Sequence, residues 1–254
     1  MRLAVMQPYF FPYLGYFQLI AAANKFILYD NLNYIRQGWM HRNRIRLKGN
    51  GPVYCSVPLV GAGSFVKIRD VRIDPTRRWP GKFLDQLSFN YGRAPFFNEV
   101  FPVIEQAVQR HAERLTEVNR NGIIAVAEFL GIKTLISSDI TRYEAFEAAV
   151  LKPDSALIRA LGEEMGTGDV KTLRVLHLCR REGAEVYINP PGGRDLYSKD
   201  VFRRNGVALQ FLEPRLSPYP QQEEPFLPGL SILDVLMHCG REGARRLLDD
   251  YTLA

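Results

Sequence analysis

The stretch that decides the fold is residues 1–30, which read MRLAVMQPYFFPYLGYFQLIAAANKFILYD. Residues 2–6 form a short apolar run that ends at Gln7, which predicts a buried strand. Residues 13–23 carry apolar side chains on one helical face and predict a helix, and residues 26–29 predict a second strand. Two strands joined by one helix form a βαβ unit, so we expect the sheet to be parallel here.

The middle of the chain departs from this pattern. Residues 41–73 alternate basic with apolar or neutral positions around a Gly49-Asn50-Gly51 turn, which predicts a β-hairpin, and residues 67–73 are expected to add a third short strand to it. Further on, apolar residues recur at three- and four-residue spacing and predict a helical section. The helices are expected at residues 78–91, 97–108 and 115–130, with a strand at 133–137.

The last third alternates again between helix and strand patterns. Helices are expected at residues 169–182 and 195–204, strands at 185–189 and 207–212, and closing helices at 230–239 and 241–250. We therefore expect one α/β domain over residues 1–254, with a mostly parallel Rossmann-like sheet and flanking helices. A basic hairpin is inserted at about 41–73 in this scheme, and a helical subdomain occupies about 78–165.

The positive charge is unevenly distributed. The 254 residues include 33 Lys or Arg and 27 Asp or Glu, for a net charge of +6. The segment from Asn31 to Arg69 has no acidic residue and seven basic ones, so it carries +7 while the rest of the chain carries −1. A local positive field is the expected footprint of an anionic partner. The basic residues are Arg36, Arg42, Arg44, Arg46, Lys48, Lys67 and Arg69.

Composition excludes several classes of protein. Apolar residues make up 46% and charged residues 24%, which is ordinary for a globular protein and wrong for a disordered one. No run approaches the roughly eighteen apolar residues of a membrane span, and the start of the chain is no signal peptide. Three scattered cysteines indicate neither a disulfide framework nor a metal site, so the cytoplasm is the expected location. The sequence contains no P-loop, G-x-G-x-x-G or HExxH motif.

The first candidate site is the strand-to-helix turn from Gln7 to Tyr16. Ligands bind at the carboxyl ends of strands in open α/β sheets, beside helix N-termini that favour anions. Tyr9, Tyr13 and Tyr16 offer flat faces for stacking on a base or sugar, and Gly15 lets a ligand approach the backbone. The alternative is that these rings are core filler, which is the commoner use of aromatic stripes.

The second candidate site follows the second strand. Asp30 at a strand end binds a hydroxyl, an amine or a metal, or else caps a turn. Arg36, Arg42 and Arg44 are suited to bidentate phosphate recognition, and the missing acidic residues favour an anion site over a solvated face.

Two further motifs lie near the end of the chain. Asn189-Pro190-Pro191-Gly192-Gly193 leads from a strand towards Tyr197, a geometry that suits a phosphate or is simply a loop. Tyr219, Gln221, Ser231 and Asp234 form the other motif, in which Ser231-x-x-Asp234 is consistent with a helix cap.

Several long segments together resemble the WbqC-like family, from Met1 to about Gly240. They are MQPYFFPYLGYFQLI, FILYDNLNYIRQGWMHRNRI, VYINPPGG with Tyr197, YPQ and FLPGLSILDVLMHCG. The resemblance implies bacterial surface-polysaccharide (O-antigen) synthesis. The reaction it implies is the transfer of an amino acid, proposed to be glycine, to an amino sugar carried on a nucleotide.

The segment Tyr13-Leu14-Gly15-Tyr16 is also similar in layout to the HxGH segment of nucleotidylyltransferase-like enzymes such as pantothenate synthetase. That likeness implies formation of an acyl-adenylate followed by an amide. Both histidines of that motif are tyrosines here, and a tyrosine cannot carry the positive charge that helps to stabilise a transferring phosphate. The departure therefore argues against adenylation.

We expect an acyl or aminoacyl transferase that acts on a nucleotide-linked amino sugar, with Asp30, Tyr34 and Tyr16 as candidate catalytic residues. Asp30 would hold the amine or act as its base, because an amine must be neutral to attack.

ATP or an aminoacyl carrier is the candidate cofactor. The alternatives are a nucleotide-sugar or donor-binding module without catalysis, an adenylate-forming amide ligase, and a basic hairpin that binds tRNA. The candidate substrate-binding residues are Gln7, Tyr9, Tyr13, Gly15, Arg36, Trp39, Arg42, Asn43, Arg44, Asn189, Gly192, Gly193, Tyr197, Tyr219, Gln221, Ser231 and Asp234.

Overall fold

The structure is a computed structural model that describes residues 1–47, 50–152 and 154–254. Its strands are β1 (Arg2–Met6), β2 (Lys25–Leu28), β3 (Arg42–Leu47), β4 (Asn50–Ser56), β5 (Leu59–Val60), β6 (Arg72–Ile73), β7 (Leu135–Ser137), β8 (Val186–Asn189), β9 (Ala208–Pro214) and β10 (Tyr251–Leu253). Its α-helices are α1 (Leu14–Ala22), α2 (Gly81–Tyr91), α3 (Phe97–Gln109), α4 (Leu115–Phe129), α5 (Glu144–Val150), α6 (Ala156–Met165), α7 (Val170–Glu182), α8 (Lys199–Arg204) and α9 (Ile232–Leu248).

Six strands form the central sheet, in the order β10-β9-β8-β1-β2-β7. All neighbours pair in parallel except β10, which runs antiparallel to β9. The predicted βαβ unit is present, because Leu3 of β1 pairs with Lys25 of β2 across α1. The predicted mixed α/β fold with a mostly parallel sheet is therefore confirmed.

The inner strands are apolar because helices cover both faces of the sheet. Ala4 and Phe26 point into one cluster, which includes residues of α1, α4 and α9. Leu3 and Ile27 point into the other, which includes residues of α5, α7 and α8. All four side chains are fully buried, so the hydrophobic effect holds the layers together from both sides.

The sheet has a switch point between β1 and β8. Helix α1 follows β1 and packs on one face of the sheet. Helix α8 follows β8, and its Phe202 lies in the cluster on the opposite face. Connections that depart to opposite faces leave a crevice at the carboxyl ends of the two strands. This crevice lies between the loops that follow Met6 and Asn189.

The predicted hairpin is present, since β3 and β4 pair antiparallel from Arg42 opposite Ser56 onwards. Lys48 and Gly49, which belong to its predicted turn, lie outside the described residues. The third strand predicted at residues 67–73 is wrong. Ile68–Asp70 is a 3-10 turn, and β6 pairs with β5 in a separate two-stranded ladder. The buried Ile68 is tied to the segment after β2, where its N–H donates to the Leu32 carbonyl.

Other differences concern element ends. Helix α8 begins at Lys199 rather than at residue 195, because a 3-10 turn follows Pro190. The two closing helices form one continuous assignment, α9, which is broken at Gly240 with φ +61°. A Cβ there would lie 2.4 Å from the Phe96 ring, so this position requires glycine. Strands β5 and β10 were not predicted.

The helices α2 to α6 fall within the predicted helical section, but β7 lies among them and joins the edge of the central sheet. In the three described ranges, no helix combines the length and the apolar character needed to cross a bilayer.

A partly buried ion cluster ties α7 to the sheet. The Glu182 carboxylate accepts hydrogen bonds from Lys25 Nζ at 2.6 Å, Arg142 Nη1 at 2.7 Å and the Tyr143 hydroxyl. Burial by itself would raise the pKa of Glu182, but these donors outweigh it and hold the pKa at about 2.

We predict that Glu182→Gln removes part of the acid sensitivity of the fold. The pKa of Glu182 is depressed from 4.5 in the folded chain, so its stabilising contribution is present above pH 4.5 and is lost as the pH falls towards 2. Urea titrations at several pH values should show the variant about 2 kcal/mol less stable at pH 7, with a flatter acid limb. Glu128→Gln, at an exposed position of α4, is the matched control. If the free energy of unfolding of Glu182→Gln falls as steeply at acid pH as that of the unaltered protein, Glu182 is not the source of this acid sensitivity.

Candidate functional site

Two connected chambers occupy the crevice beside the end of β1. The outer chamber has a volume of about 340 Å³ and the inner chamber about 130 Å³, and both are lined by Tyr9 and Tyr13. We call them together the tyrosine cleft. The outer chamber is also lined by Pro12, Trp39, Asn43, Arg44, Leu216 and Gly229. The inner chamber is also lined by Met6, Gly15, Tyr16, Leu19, Pro190, Pro191 and Leu212.

The loop between β1 and α1 has no regular structure, and buried side chains take the place of a strand partner. Asn43 Nδ2 donates to the carbonyls of Phe10 at 3.1 Å and Phe11 at 2.8 Å. Asn119 Nδ2 donates to the Pro8 carbonyl at 2.9 Å, and Ser231 Oγ to the Phe11 carbonyl at 2.7 Å. The loop is thereby held in one conformation from three distant segments of the chain.

Gly15 is required by the position of the Tyr13 ring. A Cβ at residue 15 would lie 2.5 Å from Tyr13 Cε2 and 2.7 Å from the Tyr13 hydroxyl oxygen. The ring therefore lies directly against the first turn of α1. This close approach allows Tyr13 to face both chambers, and any side chain at residue 15 would move it.

The other two tyrosines of the loop are anchored at Gln7. The Tyr16 hydroxyl donates to the Gln7 carbonyl at 2.8 Å, and the Tyr9 hydroxyl to Gln7 Oε1 at 3.3 Å. Burial raises the pKa of Tyr9, Tyr13 and Tyr16, with a smaller contribution at Tyr9 and Tyr16 from a neighbouring tyrosine. All three phenols are therefore protonated at neutral pH and act as hydrogen-bond donors.

Arg44 supplies the positive charge of the outer chamber. Its guanidinium lies over the Trp39 ring, 5.6 Å from the centroid, and Nη2 donates to the Gly229 carbonyl at 3.3 Å. Its Nε is buried without a hydrogen-bond partner, and no carboxylate of the described residues lies within 4.0 Å of the guanidinium. The charge is held in place by an aromatic face and one carbonyl, without a counter-ion among the described residues.

The other predicted arginines lie outside the cleft. Arg42 lies 4.6 Å over the half-exposed Tyr54 ring and donates to the Gln37 carbonyl. The Tyr54 ring stacks on the Trp39 ring, so Arg42 and Arg44 lie over the two rings of one aromatic pair. Arg36 is exposed and lines neither chamber. Of the three predicted arginines, Arg44 lines the cleft, Arg42 adjoins it through the Tyr54 and Trp39 rings, and Arg36 does not line it.

Asp30 and Tyr34 are also separated from the tyrosine cleft. Asp30 lines a different, polar cavity at the ends of β2 and β7. The buried Tyr34 hydroxyl forms a hydrogen bond with His41 Nδ1 at 2.7 Å. Burial raises the pKa of Tyr34 and lowers that of His41, so this pair is neutral near pH 7.

The motif after β8 forms one wall of the inner chamber through its prolines. The Asn189 side chain accepts from the Tyr187 hydroxyl at 3.0 Å and donates to the Pro190 carbonyl at 3.1 Å. It lies where a Cβ of Gly193 would be, so Gly193 makes room for Asn189. The Tyr197 ring packs edge-on against the Tyr187 ring in the core. Gly192 is exposed and lines neither chamber.

The last motif is a buried network behind the outer chamber. Ser231 caps α9 as predicted, with its Oγ accepting from the Leu233 N–H. Asp234 has another role, since its fully buried carboxylate accepts from Tyr91 at 2.8 Å, Tyr219 at 2.7 Å and Gln221 at 3.1 Å. Burial and the adjacent carboxylate raise the pKa of Tyr219. This network supports the Gly229 segment of the cleft wall.

Sequence reasoning missed several lining residues. Pro12, Leu216 and Leu212 are apolar and carry no chemical signal of their own. The position of Leu212 at the cleft depends on the switch point of the sheet and on the length of β9, and neither can be read from the residues around Leu212. Among the described residues, no three or more His, Cys, Asp or Glu side chains are grouped so that they could hold a metal ion.

We predict that Asn43→Ala destabilises the fold by about 2–4 kcal/mol, because it leaves the buried Phe10 and Phe11 carbonyls with fewer or no donors. Denaturant unfolding measures the loss, and Asn98→Ala, at an exposed position of α3, is the control. Equal midpoints for the two variants would show that Asn43 does not brace the loop.

Comparison with known proteins finds one family and one curated relative that match along most of the chain. The profile of the WbqC-like protein family matches residues 7–246. A relative described as uncharacterized protein Rv1507c, from Mycobacterium tuberculosis (strain ATCC 25618 / H37Rv), is 29% identical over 244 residues, which cover 95% of each chain. No solved structure matches this chain. Because the family profile spans nearly the whole sequence, this chain belongs to the WbqC-like protein family.

Proposed function

We propose that this protein transfers an acyl or aminoacyl (glycyl) group to the amine of a nucleotide-linked amino sugar, in bacterial surface-polysaccharide (O-antigen) synthesis. The tyrosine cleft is the proposed substrate site. Membership of the WbqC-like family supports the substrate class. The volumes of the two chambers, about 340 Å³ and 130 Å³, also support it, because ligand pockets of about 300–1,000 Å³ accommodate molecules of this size.

The observation that carries the proposal is the unneutralised guanidinium of Arg44. It lies in the wall of the outer chamber beside the Trp39 ring and has no carboxylate partner among the described residues. A pyrophosphate offers two anionic groups to such a cation, and arginine binds phosphate oxygens in a bidentate manner. Trp39 and Tyr9 offer aromatic faces on which a base or sugar ring can stack.

The phenols of Tyr9 and Tyr13 fit a role as donors. Because burial raises the pKa of both, they keep their protons at neutral pH. In the proposed transfer, the neutral amine attacks the acyl carbon of the aminoacyl donor, and negative charge develops on the acyl oxygen. The C–N bond forms as the C–O bond to the carrier breaks, and the proton lost by the amine passes to the departing carrier oxygen. Hydrogen-bond donors aimed at that oxygen would stabilise the transition state.

One observation favours a second function, that of a binding module for the nucleotide sugar. Among the described residues that line the two chambers, none is a carboxylate, a histidine or a cysteine. An attacking amine must lose a proton, and a general base normally takes it. A cleft without such a base holds and orients its ligand, and a partner enzyme would then supply the chemistry.

The structure gives less support to an adenylate-forming ligase. Tyr16 stands where such enzymes have the second histidine of HxGH, and its buried hydroxyl already donates to the Gln7 carbonyl. Its pKa is raised by burial, so it supplies neither a positive charge nor a base for phosphate transfer.

We predict that Arg44→Gln weakens the binding of UDP- and dTDP-linked 4-amino sugars by about tenfold or more, because a charge-assisted contact to phosphate is lost. Isothermal titration calorimetry measures the dissociation constants. Arg93→Gln removes the same charge at an exposed position outside the cleft and should bind as the unaltered protein does. If none of the nucleotide sugars binds, or if both variants bind equally well, the cleft is not the substrate site.

The transferase and the binding module are separated by an activity assay. Purified protein is incubated with the amino-sugar nucleotide and either glycine with ATP or glycyl-tRNA, and amide formation is followed by mass spectrometry. Amide product in either mixture identifies a transferase or ligase. Tight nucleotide-sugar binding with no product in both mixtures identifies the binding module.

A further inference from the structure

A second cavity lies at the carboxyl ends of β2 and β7. It has a volume of about 260 Å³ and shares no lining residue with the tyrosine cleft. We call it the Asp30 cavity. The lining residues that matter are Asp30, Arg114, Thr116, Arg120, Ser138 and Asp139.

Asp30 is the buried anion of this cavity, with 8% of its surface exposed. One carboxylate oxygen, Oδ2, accepts from Thr116 Oγ1 at 2.7 Å, and no Lys or Arg of the described residues forms an ion pair with the carboxylate. Burial raises the pKa of Asp30, while the bond from Thr116, the charge of Arg69 and a hydrogen bond from the backbone N–H of Asp30 oppose this shift. A desolvated carboxylate without a cationic partner gains more from a cationic donor than an exposed one does.

Two arginines at the mouth of the cavity have no carboxylate partner within the described ranges. Arg114 and Arg120 are both exposed, and Arg120 Nη1 reaches only Ser138 Oγ, at 3.5 Å. Arg120 lies one turn further along α4 than Thr116. The cavity therefore has a buried carboxylate at its floor and two arginines among the charged residues of its rim.

Two further carboxylates and one ion pair surround these groups. Arg69 and Glu144 form the ion pair, at 3.0 Å. Glu117 accepts from the Arg114 N–H at the start of α4. Asp139 accepts from the backbone and the hydroxyl of Thr141, and these bonds lower its pKa. Asp30 is the one lining carboxylate that is buried, and Arg114 and Arg120 are the lining cations without a carboxylate partner in the described ranges.

The position of Asp30 is fixed by the fold around it. The Arg69 N–H donates to the Asp30 carbonyl at 3.1 Å, and the Leu115 N–H donates to the Val71 carbonyl at 3.0 Å. These bonds place the first turn of α4, with Thr116, over the end of β2. The positive end of the helix dipole at that turn further favours an anionic group near the rim.

We infer that the Asp30 cavity binds a short zwitterion such as a free amino acid, with its ammonium group on Asp30 and its carboxylate on Arg120 and Arg114. Charge complementarity carries the inference, because one molecule with both groups satisfies the buried anion and the unpaired cations together. A simple amine would leave the rim unpaired, and a simple carboxylate would meet repulsion from Asp30. This binding does not depend on the function proposed for the tyrosine cleft.

Calorimetric titration with five small compounds tests the charge requirement. Glycine, β-alanine and γ-aminobutyrate carry both groups at increasing separation, whereas ethylamine and propionate carry one group each. At least one zwitterion should bind at least about tenfold more tightly than either single-charge compound. Binding of none of the three zwitterions at about 10 mM, where even millimolar affinity is detected, would overturn the inference, as would equally tight binding of ethylamine or propionate.

Variants locate the binding. Asp30→Asn and Arg120→Gln should each weaken the binding of the tightest-binding zwitterion by about tenfold or more. The exposed controls Glu99→Gln and Arg93→Gln should bind it as the unaltered protein does. If Asp30→Asn fails to fold, as judged by circular dichroism, the surface variant Arg120→Gln decides the test. Unchanged binding in every folded variant of the cavity would place the ligand elsewhere.

A control distinguishes this test from that of the proposed function. The same preparation is titrated with an amino-sugar nucleotide, which reports on the tyrosine cleft. Zwitterion binding that Asp30→Asn removes supports the inference even if the nucleotide sugar does not bind. Nucleotide-sugar binding without any zwitterion binding overturns the inference and leaves the proposed function standing.

Discussion

The bracing of the carbonyls between Pro8 and Phe11 is the constraint on which the cleft depends. Buried carbonyls without partners would each cost on the order of 1–3 kcal/mol. Asn43, Asn119 and Ser231 supply the donors, and they come from the hairpin, from α4 and from the start of α9. Three peripheral parts of the fold are thus fastened to the end of β1. Without them, the rings of Tyr9 and Tyr13 would have no fixed place.

The concentration of positive charge between Asn31 and Arg69 resolves into separate local roles. Arg44 lines the tyrosine cleft, and Arg42 lies over the Tyr54 ring, which stacks on Trp39 of the cleft wall. Arg46 is buried, where its Nη1 donates to Gln221 and to the Pro225 carbonyl. Arg69 pairs with Glu144 beside the Asp30 cavity. The basic residues of this segment therefore do not all line one site.

Sequence patterns predicted the periodic parts of this protein and failed where position depends on distant contacts. The βαβ unit, the hairpin and the second βαβ unit follow from local spacing. The sequence also drew attention to the residues that line the cleft, such as Tyr13, Trp39 and Arg44. It could not show that Asp30 faces a different cavity. The ends of β1 and β2 are neighbours, but α4 covers the end of β2, and nothing near Asp30 in the sequence indicates a helix that starts at Leu115.

The two outermost strands of the central sheet, β7 and β10, are each three residues long. Exposed sheet edges are the usual starting point for strand-to-strand association between molecules, and short edge strands offer few free N–H and C=O groups for it. The longer β9, with seven residues, is paired by β10 along Leu212–Pro214. Removal of residues 251–254 would therefore lengthen the unpaired edge of β9, and we would look for aggregation there before any change at the cleft.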